Sequence, residues 1–163
     1  MSHPLTTAPG EAARLATELI LETFRLNGRL LAAGDRLMAD LDMSSARWQV
    51  LGAVAIAAPP GPIAHIARAM GLTRQNVRRI VGELVAAGLL QLAPNPHHRR
   101  AALVRFTPAG EALFATMAAR QAAWVTDLAE GLDPAALTTA IGVARALRAR
   151  LEALGEDDPS HDG

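Results

Sequence analysis

The stretch Ile63–Leu84, IAHIARAMGLTRQNVRRIVGEL, decides how this chain folds. Two helices joined by a short turn must approach closely, so the first needs a small residue at the crossing, which Ala67 supplies. The turn needs a residue that accepts a positive φ, and Gly71 stands four positions later. The second helix must turn apolar side chains toward the first, and Val77, Ile80, Val81, Leu84 and Val85 fall in one stripe. At about 100° per residue, Gln75, Arg78, Arg79 and Gly82 then lie opposite that stripe. Arginine and glutamine make paired hydrogen bonds to guanine and adenine edges in the major groove, and a glycine on the same face removes bulk where a helix approaches a duplex. The spacing is that of a helix-turn-helix. The same face would otherwise be an ordinary solvated, charged helix surface.

Working outward, Thr73 is placed to cap the second of these helices, which is predicted to run to about Ala87 before Gly88. The first is predicted over Ile63–Met70. Upstream, Ser44 or Ser45 caps a helix through Trp48, Leu51, Val54 and Ala58, stopped by the PPGP at 59–62. Before it lies a long helical pattern from Glu11 to about Asp40. Its leucines at 15, 19, 26, 30, 37 and 41 alternate steps of four and seven, which keeps them on one face of a nearly straight helix. So long a stripe with so few apolar neighbours points to a partner helix. Downstream, Thr107 and Pro108 open a helix to about Glu130 that buries Leu113, Met117, Trp124 and Leu128. Asp133 and Pro134 open the last helix, with a near-heptad seam of Leu137, Ile141, Ala144, Leu147, Leu151 and Leu154.

Between these helices sits PNPHHRRAALVRF, Pro94–Phe106, flanked by two short strands expected at Leu89–Ala93 and Ala101–Phe106. A hairpin directly after a recognition helix is a wing, and arginine at its tip suits the narrow, electronegative minor groove. His97, His98, Arg99 and Arg100 occupy that tip.

The chain of 163 residues has no net formal charge, yet its charges are segregated. Between Arg47 and Arg105 stand eight arginines and one acid, Glu83, for +7; the remainder carries −7. A basic face on an acidic scaffold is an electrostatic footprint for nucleic acid. Half the residues are apolar, enough for a packed core. There is no cysteine, which excludes a disulfide framework, a thiolate metal site and a thiol redox sensor. Lysine is absent too, so no P-loop is possible, and neither GxSxG nor HExxH occurs. The chain is expected to be no enzyme, with no cofactor. His65, His97 and His98 have no carboxylate near them in sequence, so no metal site is expected. The N-terminus lacks the basic and apolar segments of a secretory signal, and no apolar run nears the ~18 residues that span a bilayer. The expectation is a soluble cytoplasmic protein with no membrane partner.

The segments RWQVLGAV, IAHIARAMGLTRQNVRRIVGELVAAGLL and NPHHRRAALVRFTPAGEAL resemble the winged-helix regulators of the multiple-antibiotic-resistance regulator (MarR) family. The likeness in motif order extends from Glu11 to Leu154 and is most specific over Ile63–Gly110. It implies a mainly α, winged helix-turn-helix fold of order α-α-α-α-β-β-α-α. A helix at 11–42 and helices at 108–154 would form a dimer core around a DNA-binding lobe at 43–107, with flexible tails at 1–10 and 155–163. It further implies a homodimer on the double-stranded DNA of a palindromic operator, repressing transcription until a small aromatic or phenolic effector releases it. By position, Thr73, Arg74, Gln75, Asn76, Arg78 and Arg79 fall on the recognition helix, and Arg100 on the minor-groove arginine of the wing. Phe24, Arg25, Arg29, Met38 and Trp48 lie where an effector pocket would be lined. The chain departs from the family at His98, where an acid commonly orients that wing arginine. The alternative is a winged-helix module whose basic face meets an acidic protein.

If His97 and His98 face phosphate, their protonation adds attraction. DNA affinity at fixed salt is expected to rise as pH falls from 8 to 6, and a flat profile removes the histidines from the contact.

Overall fold

The computed structural model describes residues 10–57, 59–98 and 100–156. Six helices and one hairpin follow the expected order: α1 Glu11–Leu37, α2 Ser45–Ile56, α3 Ile63–Met70, α4 Arg74–Ala86, β1 Leu90–Ala93, β2 Leu103–Phe106, α5 Pro108–Ala129 and α6 Pro134–Glu156. The mainly α, winged helix-turn-helix class is the one the sequence pattern predicts. The chain divides after Arg120 into two compact units, the first reaching into α5 and the second holding the rest of α5 and α6.

Ends of elements depart from the sequence reading for local reasons. α1 stops at Leu37 instead of Asp40, because the chain tightens into a 3-10 turn at Ala39–Leu41 and then turns left-handed at Asp42 (φ 51°). That turn seats Met38, which is fully buried. Ser44, not Ser45, caps α2, its hydroxyl accepting the Arg47 N–H at 3.3 Å. Ser45 is buried and ties α2 to α1: its hydroxyl donates to the Leu31 carbonyl (2.7 Å) and its N–H to the Asp35 carboxylate (2.6 Å). The Ser45 N–H, with the Ser45 hydroxyl adding to its effect, holds the Asp35 carboxyl below the ordinary carboxylate range. α2 ends at Ile56, before the prolines at 59 and 60, and Ala58 lies outside the described residues.

The strands are shorter than predicted because their outer residues are used in joints. The Leu89 N–H closes the end of α4 on the Leu84 carbonyl (2.9 Å), and the Ala101 N–H closes the wing turn on the His98 carbonyl (3.0 Å). Within the hairpin the register pairs Leu90 with Phe106 and Ala93 with Leu103. A lone bridge from Pro62 to Leu103 and the Val104 N–H bond to the Gly61 carbonyl (3.0 Å) seat β2 beside the start of α3.

The core of the first unit is built by Val50, Leu51 and Val54 of α2, Ile66 and Ala67 of α3, and Val77, Ile80, Val81 and Leu84 of α4. Leu90, Val104 and Met117 close it. Arg120 of α5 forms a two-pronged ion pair with Asp40 and donates to the Leu37 carbonyl at 3.4 Å, fastening α5 to the end of α1. Along α1, Leu15, Leu19, Leu26 and Leu30 are exposed, as expected of a stripe with few neighbours in its own chain. Of the side chains predicted to be buried on α5, Met117 is sealed and Leu113 and Trp124 are half-buried. Leu128 is 53% exposed, so the reading fails there: it lies in the second unit, past the stretch of α5 that closes the core. In that unit Asp133 caps α6, accepting the N–H groups of Ala135 and Ala136.

One joint holds the wing to the helices. The Thr107 hydroxyl donates to the Gly88 carbonyl (2.6 Å) and accepts the Gly110 N–H (3.0 Å), while the Thr107 N–H donates to the Leu89 carbonyl (3.1 Å). The backbones come so close that a Cβ on Gly110 would stand 1.9 Å from the Leu89 carbonyl oxygen. Relieving that clash means moving backbone, so Gly110→Ala is expected to cost about 2 kcal/mol or more. Urea unfolding checks it: the midpoint falls with the slope unchanged. An unshifted midpoint refutes the joint's tightness.

Candidate nucleic-acid interface

The turn between α3 and α4 is set by backbone hydrogen bonding around one glycine. Gly71 takes φ 64°, its N–H donates to the Arg68 carbonyl (3.2 Å), and the Leu72 N–H reaches the Ala67 carbonyl (3.0 Å). This is a Schellman ending, which a residue with a Cβ adopts only under strain. Two residues on, the Thr73 hydroxyl accepts the Asn76 N–H at 3.3 Å and starts α4. Ala67 is 2% exposed at the helix crossing, and α4 buries Val77, Ile80, Val81 and Leu84 against α2 and α3.

Burying that stripe turns the other face outward. Thr73, Arg74, Gln75, Arg78, Arg79 and Gly82 are all exposed, and Asn76 is half-buried. Nothing lies within 4 Å of where a Gly82 Cβ would be, so no contact inside the chain demands glycine there. Arg74, Arg78 and Arg100 form no ion pair among the described residues, so their charge is uncommitted within the chain.

At the wing, His97, His98 and Arg100 are exposed, and Arg99 lies outside the described residues. The sequence left open what orients the tip where the family has an acid. Asn95 takes part in shaping it: its side-chain amide donates to the Ala101 carbonyl (2.9 Å), and its carbonyl oxygen accepts the His97 N–H (3.0 Å). Between α4 and the wing runs a cleft of about 380 Å3 with Arg78 on one wall, Arg100 on the other, and Gly82, Ile63 and Leu92 between them. Two cationic elements thus stand side by side on one surface.

Two residues of this surface escaped the sequence reading. Glu83 accepts hydrogen bonds from Arg47 of α2 (3.2 Å) and from Arg79 one turn back on α4. Arg79 also donates to Asn76 (3.1 Å). Arg47 leads the hydrogen bonds that hold the Glu83 carboxyl below its ordinary value, with Arg79 adding to the effect. The four-residue spacing of Arg79 and Glu83 was legible in the sequence. Arg47 was not, being 36 positions away.

The suggested effector residues differ in their exposure. Phe24 is 70% exposed on α1, Arg25 pairs with Glu22 of its own helix, and Arg29 is exposed. Met38 is sealed in the core and Trp48 packs against it. An apolar cleft of about 560 Å3 lies between α2 and α3, lined by Gln49, Ile56, His65 and Ala69 among others. Among the described residues no three His, Asp or Glu side chains group as metal ligands, and no helix is long and apolar enough to cross a membrane.

The sequence pattern of the MarR family matches residues 41–101, from the turn that follows α1 to the tip of the wing, short of β2. An uncharacterised protein of Mycobacterium tuberculosis is 37% identical over 119 residues, 73% of this chain and 82% of the relative. The transcriptional activatory protein BadR of Rhodopseudomonas palustris is 26% identical over 64% of this chain and 61% of its own. Among solved structures, BpsR of Bordetella bronchiseptica, whose DNA binding is regulated by 6-hydroxynicotinic acid, superposes with a TM-score of 0.65. That likeness covers 91% of this chain and 97% of that one at 22% identity, and concerns the fold.

Thr73 supplies the side-chain hydrogen bond that starts α4. Thr73→Ala is expected to lower stability by about 1 kcal/mol in urea unfolding, with Thr73→Ser near wild type. Equal loss in both variants assigns the effect to the methyl group rather than the cap.

Proposed function

The chain belongs to the MarR family of winged-helix transcription regulators, and on that footing we propose that it is a homodimeric, sequence-specific DNA-binding repressor released by a small aromatic or phenolic ligand. One observation carries the DNA-binding part. Arg74, Gln75, Arg78 and Arg79 lie on the outward face of α4, beside Arg100 of the wing, in a segment that concentrates positive charge. A helix presenting arginine and glutamine fits the major groove, and an arginine-tipped wing fits the minor groove next to it. Thr73 and Asn76 complete the helix's contact set, and His97, His98, Arg99 and Arg100 that of the wing.

The homodimer is supported by the apolar side chains that the single chain leaves in solvent: Leu15, Leu19, Leu26 and Leu30 of α1, and Ile141, Leu151 and Leu154 of α6. Apolar stripes of this length ordinarily mark an interface. A two-fold dimer presents two recognition helices to a palindromic operator. The effector reading is supported by family membership and by the hydroxylated aromatic acid named for BpsR. Of the five suggested pocket residues, Phe24, Arg25 and Arg29 are exposed, Trp48 is half-buried and Met38 is sealed.

The test is titration of the purified protein against DNA from upstream of its own gene and against a scramble of that DNA, over a range of salt. Specific binding about a thousandfold tighter than to the scramble, falling steeply with salt, is expected. Arg78→Ala should cost about tenfold or more on the upstream DNA alone. Weak, equal binding to both duplexes, and to other genomic DNA, would favour the protein-interaction module. A reporter fixes the sign: output that rises on deleting the gene makes the protein a repressor, and output that falls makes it an activator, as BadR is named.

A further inference from the structure

Glu83 is the one carboxylate between Arg47 and Arg105, and it sits on α4, the helix offered to DNA. A negative charge there opposes phosphate, so it weakens the general attraction that the surrounding arginines create. Its geometry shows what it does in return. One carboxylate oxygen accepts from Arg47 Nε at 3.2 Å and the other from the Arg79 guanidinium. The second terminal nitrogen of Arg79 donates to the Asn76 side-chain oxygen at 3.1 Å. Arg79 is therefore gripped from both sides on its own helix while its side chain stays 62% exposed; Glu83 and Arg47 are about half as exposed, at 34% and 33%. Arg78, its neighbour, forms no ion pair among the described residues.

We propose that Glu83 is a positioning residue for sequence recognition: it holds the Arg79 guanidinium in one place on the outer face of α4 and anchors that place to α2 through Arg47. The inference rests on the DNA-binding reading above. An arginine held in place before DNA arrives loses less freedom on binding than one that must be ordered there. Fixed placement favours the one sequence whose edges match it. Glu83 thus gives up non-specific attraction in exchange for discrimination.

The two effects carry opposite signs on two kinds of DNA, which separates positioning from a fold-only role. The probes are a duplex enriched by the wild-type protein from a random-sequence pool and a scramble of that duplex, both titrated at one salt concentration. Glu83→Ala is expected to bind the enriched duplex about tenfold more weakly and the scramble more tightly, since the lobe gains a net positive charge. Glu83→Gln keeps an acceptor without the charge, so it should fall between on the enriched duplex and match Glu83→Ala on the scramble. In an Arg79→Ala background, Glu83→Ala should cause little further loss of discrimination, because the two act as one unit.

The proposal is overturned if Glu83→Ala weakens both duplexes by one factor, as a smaller folded fraction would. It is overturned equally if the losses from Glu83→Ala and Arg79→Ala simply add. Failure of the wild type to enrich any sequence overturns the regulator reading itself, and this inference with it. That outcome is seen before any variant is made.

Discussion

The architecture turns on the burial of one stripe of α4. Val77, Ile80, Val81 and Leu84 are each at most 1% exposed, packed on Ile66 and Ala67 of α3 and on the apolar side of α2. Burying a side chain of that size is worth up to about 1.5–3 kcal/mol, so the four together outweigh any single polar contact in the lobe. A helix cannot rotate without exposing such a stripe. With α4 locked about its own axis, the azimuth of Gln75, Arg78 and Arg79 is settled as well, so the packing that stabilises the lobe also aims the recognition face.

A second constraint transmits that orientation to the wing. α4 ends on Gly88 (φ 72°) with the same Schellman pattern that ends α3, and the carbonyls just beyond it are taken by Thr107. The closeness of Gly110 to the Leu89 carbonyl leaves little room for the β2–α5 junction to shift. Hairpin and helix are thereby held at a set spacing, with Arg78 and Arg100 across one cleft. Phe106 and Phe114, ring centres 5.4 Å apart, pack beneath the same junction.

Charge is arranged on top of this frame rather than holding it together. Exposed ion pairs such as Arg25–Glu22 and Arg148–Glu152 contribute little to stability. The partly buried Arg47–Glu83–Arg79 chain differs in joining two helices through one carboxylate. In a lobe otherwise free of acids, that carboxylate is the place where orientation and long-range attraction pull against each other.

Much of this was legible in the sequence because it depends on residues close together in the chain. Ala67, Gly71 and Thr73 announce the turn and the cap, since φ > 0, close approach and a side-chain acceptor are each met by few residue types. The alternation of apolar and cationic positions from Gln75 to Leu84 sets the two faces of α4, because helical period alone decides which side chains share a side. The failures concern contacts between distant positions. Nothing local distinguished Ser44 as the cap from Ser45 as the buried tie to α1, or placed Arg47 beside Glu83. Leu128 looked as apolar as Met117, but only the packing of α5 on the lobe separates a sealed side chain from an exposed one. Sequence by itself determined the elements, their order and the face each presents, because these follow from backbone preference and periodicity. Tertiary structure alone decided which charges meet, how near the wing stands to α4, and which apolar side chains of α5 are sealed, because those depend on side chains brought together from far along the chain.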